Sequence, residues 1–255
     1  MKDEQEYYRL MAKMPGFQRK IDNAKKIVSE AMNIGNFTLS FSGGKDSVVM
    51  YDIVHGCGWH GTVLQTYYSP YESLPENSEL AKYYAQKYGD KVKIIKAYSC
   101  MEAWDAVGHF YSVPQNEMEK KLKIRADTDF REKLYEEQIR LECVGTFIGL
   151  CADESKMRKM NLIKHGKLYR KKTTGSWVCT PVVFFSADEI WAYIFSHGLR
   201  YLRTYDCPVM DRRRIRSEPI WMCAHKAIFN GLLQGYRILY PEIVHEIEKR
   251  YGRIE

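Results

Sequence analysis

The segment "FTLSFSGGKDS" (residues 37–47) places two glycines, a lysine, an aspartate and three serines around the end of a short apolar run. "FTLSF" is typical of a buried strand, and "SVVMYDIVHG" is typical of the helix that follows it. Paired glycines let the backbone turn tightly and carry no Cβ that would keep a ligand away. The N–H groups of such a turn point outward together with those of the next helix's first turn, and the helix dipole adds to their attraction for anions. The segment therefore predicts a phosphate-binding loop between a strand and a helix.

The polar side chains of this loop refine the prediction. Lys45 adds a mobile positive charge, and Ser42 and Ser47 add hydroxyl donors. An acid at position 46 would repel a phosphate unless a cation lay between them, so Asp46 is predicted to contact Mg²⁺. The loop is not a Walker A motif, because Leu39 stands where that pattern has glycine and Asp46 where it has Ser or Thr. A plain glycine-rich turn would explain the glycines but not the polar residues gathered around them.

Strand-like and helix-like segments alternate on both sides of the loop. "TVLQTYY", "KVKIIKAY", "GTFIGLC" and "SWVCTPVVFF" are predicted to contain strands, and residues 17–34 and "ENSELAKYYAQKYG" are predicted helices. This alternation predicts an α/β fold with a doubly wound, mostly parallel sheet. Ligands of such sheets bind beyond the carboxyl ends of the strands, at the point where the strand order reverses. The glycine loop is expected at that point.

Several segments are harder to interpret. Residues 101–127 are predicted to form an irregular segment or a lid, and "DFREKLYEEQIRLECV" to form an amphipathic helix capped by Thr128 or Asp129. Ser186 is predicted to cap the helix "ADEIWAYIFSHG". We divide the chain into an α/β nucleotide-binding domain (residues 1–205) and a basic, helical C-terminal extension packed on it (residues 206–255).

Composition limits the function classes. The 255 residues are 45% apolar and 28% charged, as in ordinary globular proteins. No apolar stretch approaches the ~18 residues of a membrane span, and "MKDEQEYYRLMAKM" has no apolar signal core, so a cytoplasmic protein without membrane contact is expected. Seven cysteines include no Cys-x-x-Cys pair, so no iron–sulfur cluster is expected. The seven histidines show no paired metal spacing and are predicted to be surface or core residues.

The formal charge of +7 indicates anionic partners. No acid occurs between residues 155 and 187, where basic residues crowd the first half, and "DRRRIR" (residues 211–216) is a second basic cluster. Either cluster alone is more typical of a solvated face. Together they favour a phosphate-bearing partner, either a nucleotide or a nucleic acid. RNA, DNA and a ribonucleoprotein assembly all stay open as partners. A homodimer also stays open. The residues predicted to contact a nucleic acid or another acceptor are Lys159, Arg170, Lys171, Lys172, Arg212, Arg213 and Arg214.

Three segments resemble known families. "SFSGGKDSVVM" resembles the pyrophosphatase loop (PP-loop) of the adenine nucleotide alpha-hydrolase superfamily, whose members bind ATP or a related adenylyl nucleotide with the phosphates on this loop. "FIGLCADESKMRK" resembles the GxRxxES segment of phosphoadenosine phosphosulfate (PAPS) reductases, with Glu154, Ser155 and Arg158 in place and Cys151 where that family usually has arginine. "TPVVFFSADEIWAYIFSHGLRY" is similar to the same family's segment of a proline, a strand and a Trp-bearing helix. Over roughly residues 35–205 the chain is identified as a member of the PAPS reductase family in the broad sense.

The chain also departs from that family. Sulfonucleotide reductases carry a C-terminal Glu-Cys-Gly-x-His segment whose thiolate attacks sulfur, and the nearest match is "WMCAHK", with Cys223 and His225 but neither the glutamate nor the glycine. The reductases usually have a degenerate loop, because their substrate lacks β and γ phosphates. The intact "SGGKDS" is better suited to a triphosphate.

The resemblance implies an ATP-binding enzyme that cleaves the α–β bond and adenylylates an acceptor, with Lys45, Asp46 and Arg158 as catalytic residues and ATP and Mg²⁺ as cofactors. The alternatives are a sulfonucleotide reductase or sulfur transferase that uses Cys223, and a nucleotide-dependent module of a nucleic-acid-processing or CRISPR defence assembly. The predicted nucleotide-binding residues are Ser40, Phe41, Ser42, Gly43, Gly44, Lys45, Ser47, Gln65, Thr66, Glu154 and Ser155.

Overall fold

The strand that precedes the glycine loop lies in the middle of a parallel sheet. The computed structural model describes residues 2–111, 113–213, 215 and 232–252. Within these residues one six-stranded sheet has the order β3-β2-β1-β4-β6-β5, and only the β5–β6 pair is antiparallel. The strands are β1 Phe37–Ser40, β2 Thr62–Tyr67, β3 Lys91–Lys96, β4 Gly145–Ile148, β5 Leu168–Arg170 and β6 Trp177–Cys179. The predicted doubly wound, mostly parallel α/β fold is confirmed.

Helices connect the strands and cover the sheet. The α-helices of the described residues are α1 Lys2–Ala12, α2 Pro15–Met32, α3 Lys45–Gly56, α4 Pro75–Tyr88, α5 Cys100–Val107, α6 Glu117–Arg140, α7 Lys156–His165, α8 Ala187–His197, α9 Leu232–Leu239 and α10 Pro241–Tyr251. Short 3₁₀ turns span Ala152–Glu154 and Arg203–Asp206. None of the helices in this part of the chain is long and apolar enough to cross a membrane.

The register of β1 explains where the loops gather. Leu39 lies opposite Val63 of β2 on one side and Phe147 of β4 on the other, and all three side chains are fully buried. From β3 the chain returns through α5 and α6 to β4, so the strand order reverses between β1 and β4. The loops that leave the carboxyl ends of β1 and β4 therefore lie side by side, at the place where such sheets bind ligands.

Two apolar clusters hold the helices in place. The larger one joins the sheet to α2, α3 and α8, and nine of the twelve residues of α3 are buried in it or beside it. The smaller one joins α5 to the C-terminal helices through Trp104, Tyr236, Tyr240 and Ile247. The described C-terminal helices thus pack against α5, while the division into a domain and an extension at residue 205 stays a prediction.

The prediction of an irregular segment or a lid over residues 101–127 is wrong where α5 and α6 form, and among its described residues only 108–111 and 113–116, between these helices, are without a helix. Ser99 caps α5 in a capping box with Glu102, and Asn116 caps α6. Thr128 and Asp129 are therefore not caps, since both lie inside α6. The helix is largely polar and partly exposed, so it shows little apolar periodicity until its second half. The predicted Ser186 cap of α8 is confirmed, with Glu189 completing its capping box.

Besides α5 and α7, two elements have no counterpart among the predictions. The first is α1, which packs along α8, where the Tyr8 and Phe195 rings stack with centroids 5.6 Å apart. The second is the three-residue strand β5, which lies within the basic segment and pairs with β6. A strand this short carries too few residues to show alternation.

Candidate functional site

The glycine loop is shaped by its own backbone and serine hydroxyls. Gly43 has a φ of +77°, which favours glycine, and a Cβ there would lie 3.1 Å from Asn77 Oδ1. The Gly44 N–H donates to Ser42 Oγ (3.3 Å), and the Ser47 hydroxyl donates to the Gly44 carbonyl (2.8 Å). Gly44 is the cap residue of α3, which begins at Lys45. The loop therefore presents the amino end of a buried helix at the carboxyl edge of the sheet, as the sequence predicts.

The Lys45 side chain is buried between two acids. It is only 3% exposed, and its Nζ lies 2.6 Å from Glu154 Oε1 and 3.1 Å from Asp46 Oδ1. Burial alone would lower the pKa of this lysine, but the charges of Asp46 and Glu154 outweigh burial and raise the pKa above its ordinary value. The ammonium group therefore stays charged. Glu154 reaches it from the turn after β4, so this ion pair joins the two loops at the point of strand reversal.

The two acids differ in their proton affinity. Burial raises the pKa of Asp46 to about 6 even though Lys45 opposes the shift. Burial acts on Glu154 in the same direction, but Lys45 and Arg158 overcome it and lower the pKa of Glu154 below its ordinary value. The Arg158 guanidinium forms an ion pair with Glu154 and also donates to the Cys151 carbonyl (3.4 Å). The site thus holds two cations around one firmly ionised carboxylate, with a second acid that titrates near neutrality.

Ser155 positions Arg158. Ser155 is the cap residue of α7, and its hydroxyl accepts from the Arg158 N–H (3.1 Å). The predicted residues Lys45, Asp46, Glu154, Ser155 and Arg158 are therefore brought together in one site. Burial raises the pKa of the neighbouring Cys151 thiol well above its ordinary value, which leaves this thiol protonated and a poor nucleophile.

The predicted nucleotide-binding residues at the ends of β1 and β2 would line the adenine, and the structure brings only some of them together. Gln65 lies near the carboxyl end of β2, is 2% exposed, and its Oε1 has no hydrogen-bond partner among the described residues. Thr66 follows it on the same strand and Ser40 ends β1. The Phe41 side chain instead packs in the core against Tyr51, so its side chain is not part of the site. The Phe41 N–H donates to Leu64 O (2.9 Å) and so continues the sheet.

Two residues of the site carry no prediction. The Tyr205 hydroxyl is fully buried and accepts from the Lys45 N–H (3.0 Å), across 160 residues of sequence. Gly149 follows β4, and a Cβ there would lie 2.7 Å from both the N and Cα atoms of Ser47. A glycine directly after a buried strand is a usable signal for such close approach. No local pattern points to Tyr205.

The predicted acceptor contacts are scattered. Arg170 pairs with Trp177, the first residue of β6, so Arg170 and the exposed Lys171 and Lys172 lie at the amino edge of the sheet, away from the glycine loop. The structure therefore does not bring these three together with the glycine loop, and their contact with a nucleic acid or another acceptor stays a prediction. Lys159 lies on α7 next to the site, where its Nζ is 2.9 Å from Asp153 Oδ1.

The second basic cluster is held by internal contacts where it is described. Arg212 is only 13% exposed; it pairs with Asp206 (3.3 Å) and lies over the Trp191 ring. Arg213 pairs with Asp211 (3.0 Å). Arg214 and the predicted thiol Cys223 lie outside the described residues.

Asp46→Asn is expected to stabilise the ligand-free protein more at pH 7.5 than at pH 5. The folded pKa of about 6 lies above the ordinary value of 3.8, so the folded state binds the proton more tightly and stability falls as the pH rises from about 4 to 6. Asparagine removes the whole of that cost at pH 7.5 but only about half of it at pH 5, which lies midway between the two pKa values. The difference in free energy of unfolding should be about 1–3 kcal/mol.

The measurement is urea unfolding in EDTA at both pH values. Asp153→Asn alters an exposed acid of the neighbouring turn, Ala152–Glu154, and serves as the control. A variant that loses more stability at pH 7.5 than at pH 5 would show that Lys45 outweighs burial at Asp46.

Comparison with known proteins agrees with the fold. Residues 36–208 match the family described as the phosphoadenosine phosphosulfate reductase domain. PAPS reductase from Candida auris, solved as a phosphate complex, is 13% identical with a TM-score of 0.52, over 72% of this chain and 84% of that chain. NMN synthetase from Francisella tularensis is 13% identical with a TM-score of 0.51, over 94% of this chain and 97% of that chain.

A more distant similarity is to the U34-tRNA thiolase NcsA from Methanococcus maripaludis, solved with its [4Fe-4S] cluster. The two chains are 17% identical with a TM-score of 0.47, over 94% of this chain and 81% of that chain. At these identities the similarities show the fold alone. No curated protein sequence matches the chain. The absence of a cluster in this chain stays a prediction.

Proposed function

This chain belongs to the phosphoadenosine phosphosulfate reductase domain family of the adenine nucleotide alpha-hydrolase superfamily, and from that premise we propose that it cleaves ATP between the α and β phosphates and adenylylates an acceptor. The observation that carries the proposal is the pair of acids, Asp46 and Glu154, that meet Lys45 beside the glycine loop. A bare sulfonucleotide would find both cations of the site already neutralised by these carboxylates and would bring no charge to compensate them. A triphosphate that arrives with a divalent cation would bring that charge.

The donor set fits Mg²⁺. This ion prefers carboxylate oxygens and phosphate oxygens over nitrogen or sulfur, and Asp46 and Glu154 supply carboxylates at the place where the β and γ phosphates would lie. When bound, the ion would neutralise charge on the leaving pyrophosphate. Asp46, with a pKa of about 6 in the ligand-free protein, would become fully ionised in its presence.

The remaining work falls to the backbone and the two cations. The loop N–H groups and the amino end of α3 would hold the phosphates, as helix termini do in other nucleotide sites. Lys45 would turn from Glu154 toward the leaving phosphate, and Arg158 would stay on Glu154 or contact the acceptor. Positioning and charge stabilisation of this kind need no covalent step from the protein.

Helix α7 supports a second candidate, in which the acceptor is a nucleic acid. None of its side chains is buried, and it begins at Ser155 in the site itself. Its outward residues combine positive charge with apolar surface: Lys156, Met157, Lys159, Met160, Ile163 and Lys164. Phosphate contacts from lysines and stacking or apolar contacts with bases are the interactions that single-stranded nucleic acids use.

The test is calorimetric titration with ATP–Mg²⁺ and with PAPS, with pyrophosphate assayed in the same samples. ATP should bind more tightly, should lose affinity in EDTA, and should release pyrophosphate, whereas an ATP analogue with a methylene group between the α and β phosphates should bind without release. Tighter binding of PAPS would overturn the proposal. Pyrophosphate release that requires added RNA or DNA would identify the second candidate.

A further inference from the structure

Two histidines and an aspartate meet at the amino edge of the sheet, on the far side from the glycine loop. One ligand atom from each of His55, His60 and Asp90 lies within 4.8 Å of the others. They come from the last turn of α3, the turn before β2 and the residue before β3. The prediction that the histidines are surface or core residues does not anticipate that His55 and His60 lie together. Their spacing of five residues gives no hint of a site, because the third group lies 30 residues further along.

The carboxylate of this cluster is held rigidly. Asp90 has a side chain with 0% exposure, its Oδ1 lies 3.1 Å from His60 Nδ1 and accepts from the Gly61 N–H (3.2 Å), and its Oδ2 accepts from the Tyr51 hydroxyl (2.8 Å). Outer hydrogen bonds of this kind orient the ligands in metal sites. The carboxylate is therefore fixed before any ion binds.

The imidazole of His55 is also oriented, but one of its nitrogens is left without a partner. Its ring stacks on Tyr88 with centroids 4.1 Å apart and lies 5.2 Å from the His60 ring. The His55 Nδ1 atom is buried and has no hydrogen-bond partner among the described residues. Buried polar atoms nearly always have a partner, because leaving one without costs free energy. A hydrogen bond between His60 and Asp90 alone explains two members of the cluster and leaves this nitrogen unexplained.

We propose that His55, His60 and Asp90 bind one divalent transition-metal ion, with Zn²⁺ as the ion that fits best. Two imidazole nitrogens and one carboxylate oxygen are a donor set of zinc, whereas Mg²⁺ and Ca²⁺ favour oxygen throughout. A tetrahedral ion holds its ligand atoms about 3.3–3.6 Å apart, given bond lengths near 2.0–2.2 Å. The His60–Asp90 pair is already at 3.1 Å. His60 is 61% exposed, so it is free to close the remaining gap to His55.

Bound there, the ion ties the end of α3 to the starts of β2 and β3, and it leaves the fourth position to water on the exposed side. The ion is independent of the Mg²⁺ proposed at the glycine loop, which lies at the other edge of the sheet. Its main expected effect is on stability, since a ligand that binds only the folded state raises the free energy of unfolding.

The experiment uses the untagged full chain after metal removal with EDTA. Zn²⁺ is titrated in competition with a chromophoric chelator, and one ion per chain is expected. His60→Ala and Asp90→Asn should each weaken binding by about 10–100-fold or more, the range seen when even outer partners of metal ligands are removed. Because His60 is exposed, His60→Ala keeps the fold even if Asp90→Asn does not.

The matched control is His109→Ala. His109 is also an exposed histidine that faces a carboxylate, at 3.3 Å from Glu119, and it does not belong to any three-ligand cluster of the described residues. This variant should bind Zn²⁺ like the wild type. Co²⁺ should give the wild type the visible absorption of a tetrahedral site, and excess Zn²⁺ should raise its Tm by several degrees but not that of His60→Ala. No binding, or binding that His60→Ala leaves unchanged, would overturn the assignment.

Discussion

Lys45→Ala is expected to lower pyrophosphate release from ATP by about 10²–10³-fold, the loss typical of removing one preorganised donor from a developing negative charge. The lysine is the first residue of α3, directly after the glycines, and no other lysine of the described residues shares its ion pairs with Asp46 and Glu154. The rate should fall at saturating ATP as well as at low ATP, because the charge that Lys45 meets grows as the leaving group departs.

Removal of Lys45 also leaves the buried Asp46 without its cation and Glu154 with Arg158 alone, which destabilises the fold in its own right. The double variant Lys45→Ala/Glu154→Gln relieves that repulsion, so it should regain stability in urea unfolding but not activity. Lys93→Ala is the matched control, since Lys93 on the edge strand β3 forms an ion pair of the same length (2.6 Å) with Glu137 of α6. Full pyrophosphate release by a folded Lys45→Ala protein would remove this lysine from the mechanism.

Gly149→Ala is expected to weaken nucleotide binding by at least about tenfold and to lower the free energy of unfolding by about 1–3 kcal/mol, as overpacking does elsewhere. The added Cβ would lie 2.7 Å from backbone atoms of Ser47, which have no rotamer with which to give way. The first turn of α3 must therefore shift, and with it the N–H groups and Lys45. Binding is measured by calorimetry and stability by urea unfolding.

Gly56→Ala supplies the control for this variant. Gly56 ends the same helix, nothing lies within 4 Å of a Cβ built there, and its φ is not in the left-handed region. Alanine at this position should leave nucleotide binding unchanged and leave stability equal or raised by up to about 1 kcal/mol. Equal losses from both variants would show that α3 tolerates no substitution, and would remove the steric argument at Gly149.

The parts of the site that sequence could predict are those that lie close together in the chain. Lys45 and Asp46 follow a strand and two glycines. Glu154, Ser155 and Arg158 lie within a span of five residues that follows β4. Their meeting follows from the alternation of strands and helices, because the carboxyl ends of neighbouring parallel strands share one edge.

What sequence could not predict depends on contacts between distant segments or on weak local signals. The hydroxyl of Tyr205 reaches Lys45 only through tertiary packing, and the metal-ligand cluster is assembled by three separate turns. The position of Arg170 at the amino edge of the sheet could not be predicted, because its strand is too short to reveal its direction. The predicted start of helix α6 is too late, because the first half of the helix is mostly polar and shows no apolar periodicity. The start is marked by the Asn116 cap instead.

The ion pairs of Glu154 have a consequence for selectivity among anions in the cell. In the ligand-free protein the Glu154 carboxylate is already paired with Lys45 and Arg158, the cations that would bind a phosphate. Every incoming anion therefore competes with this carboxylate for the two cations. Inorganic phosphate, sulfate or chloride could displace it only by leaving its negative charge buried and uncompensated. A nucleotide that brings a divalent cation compensates that charge as it binds. The acid next to the loop would thus exclude common small anions without any steric barrier.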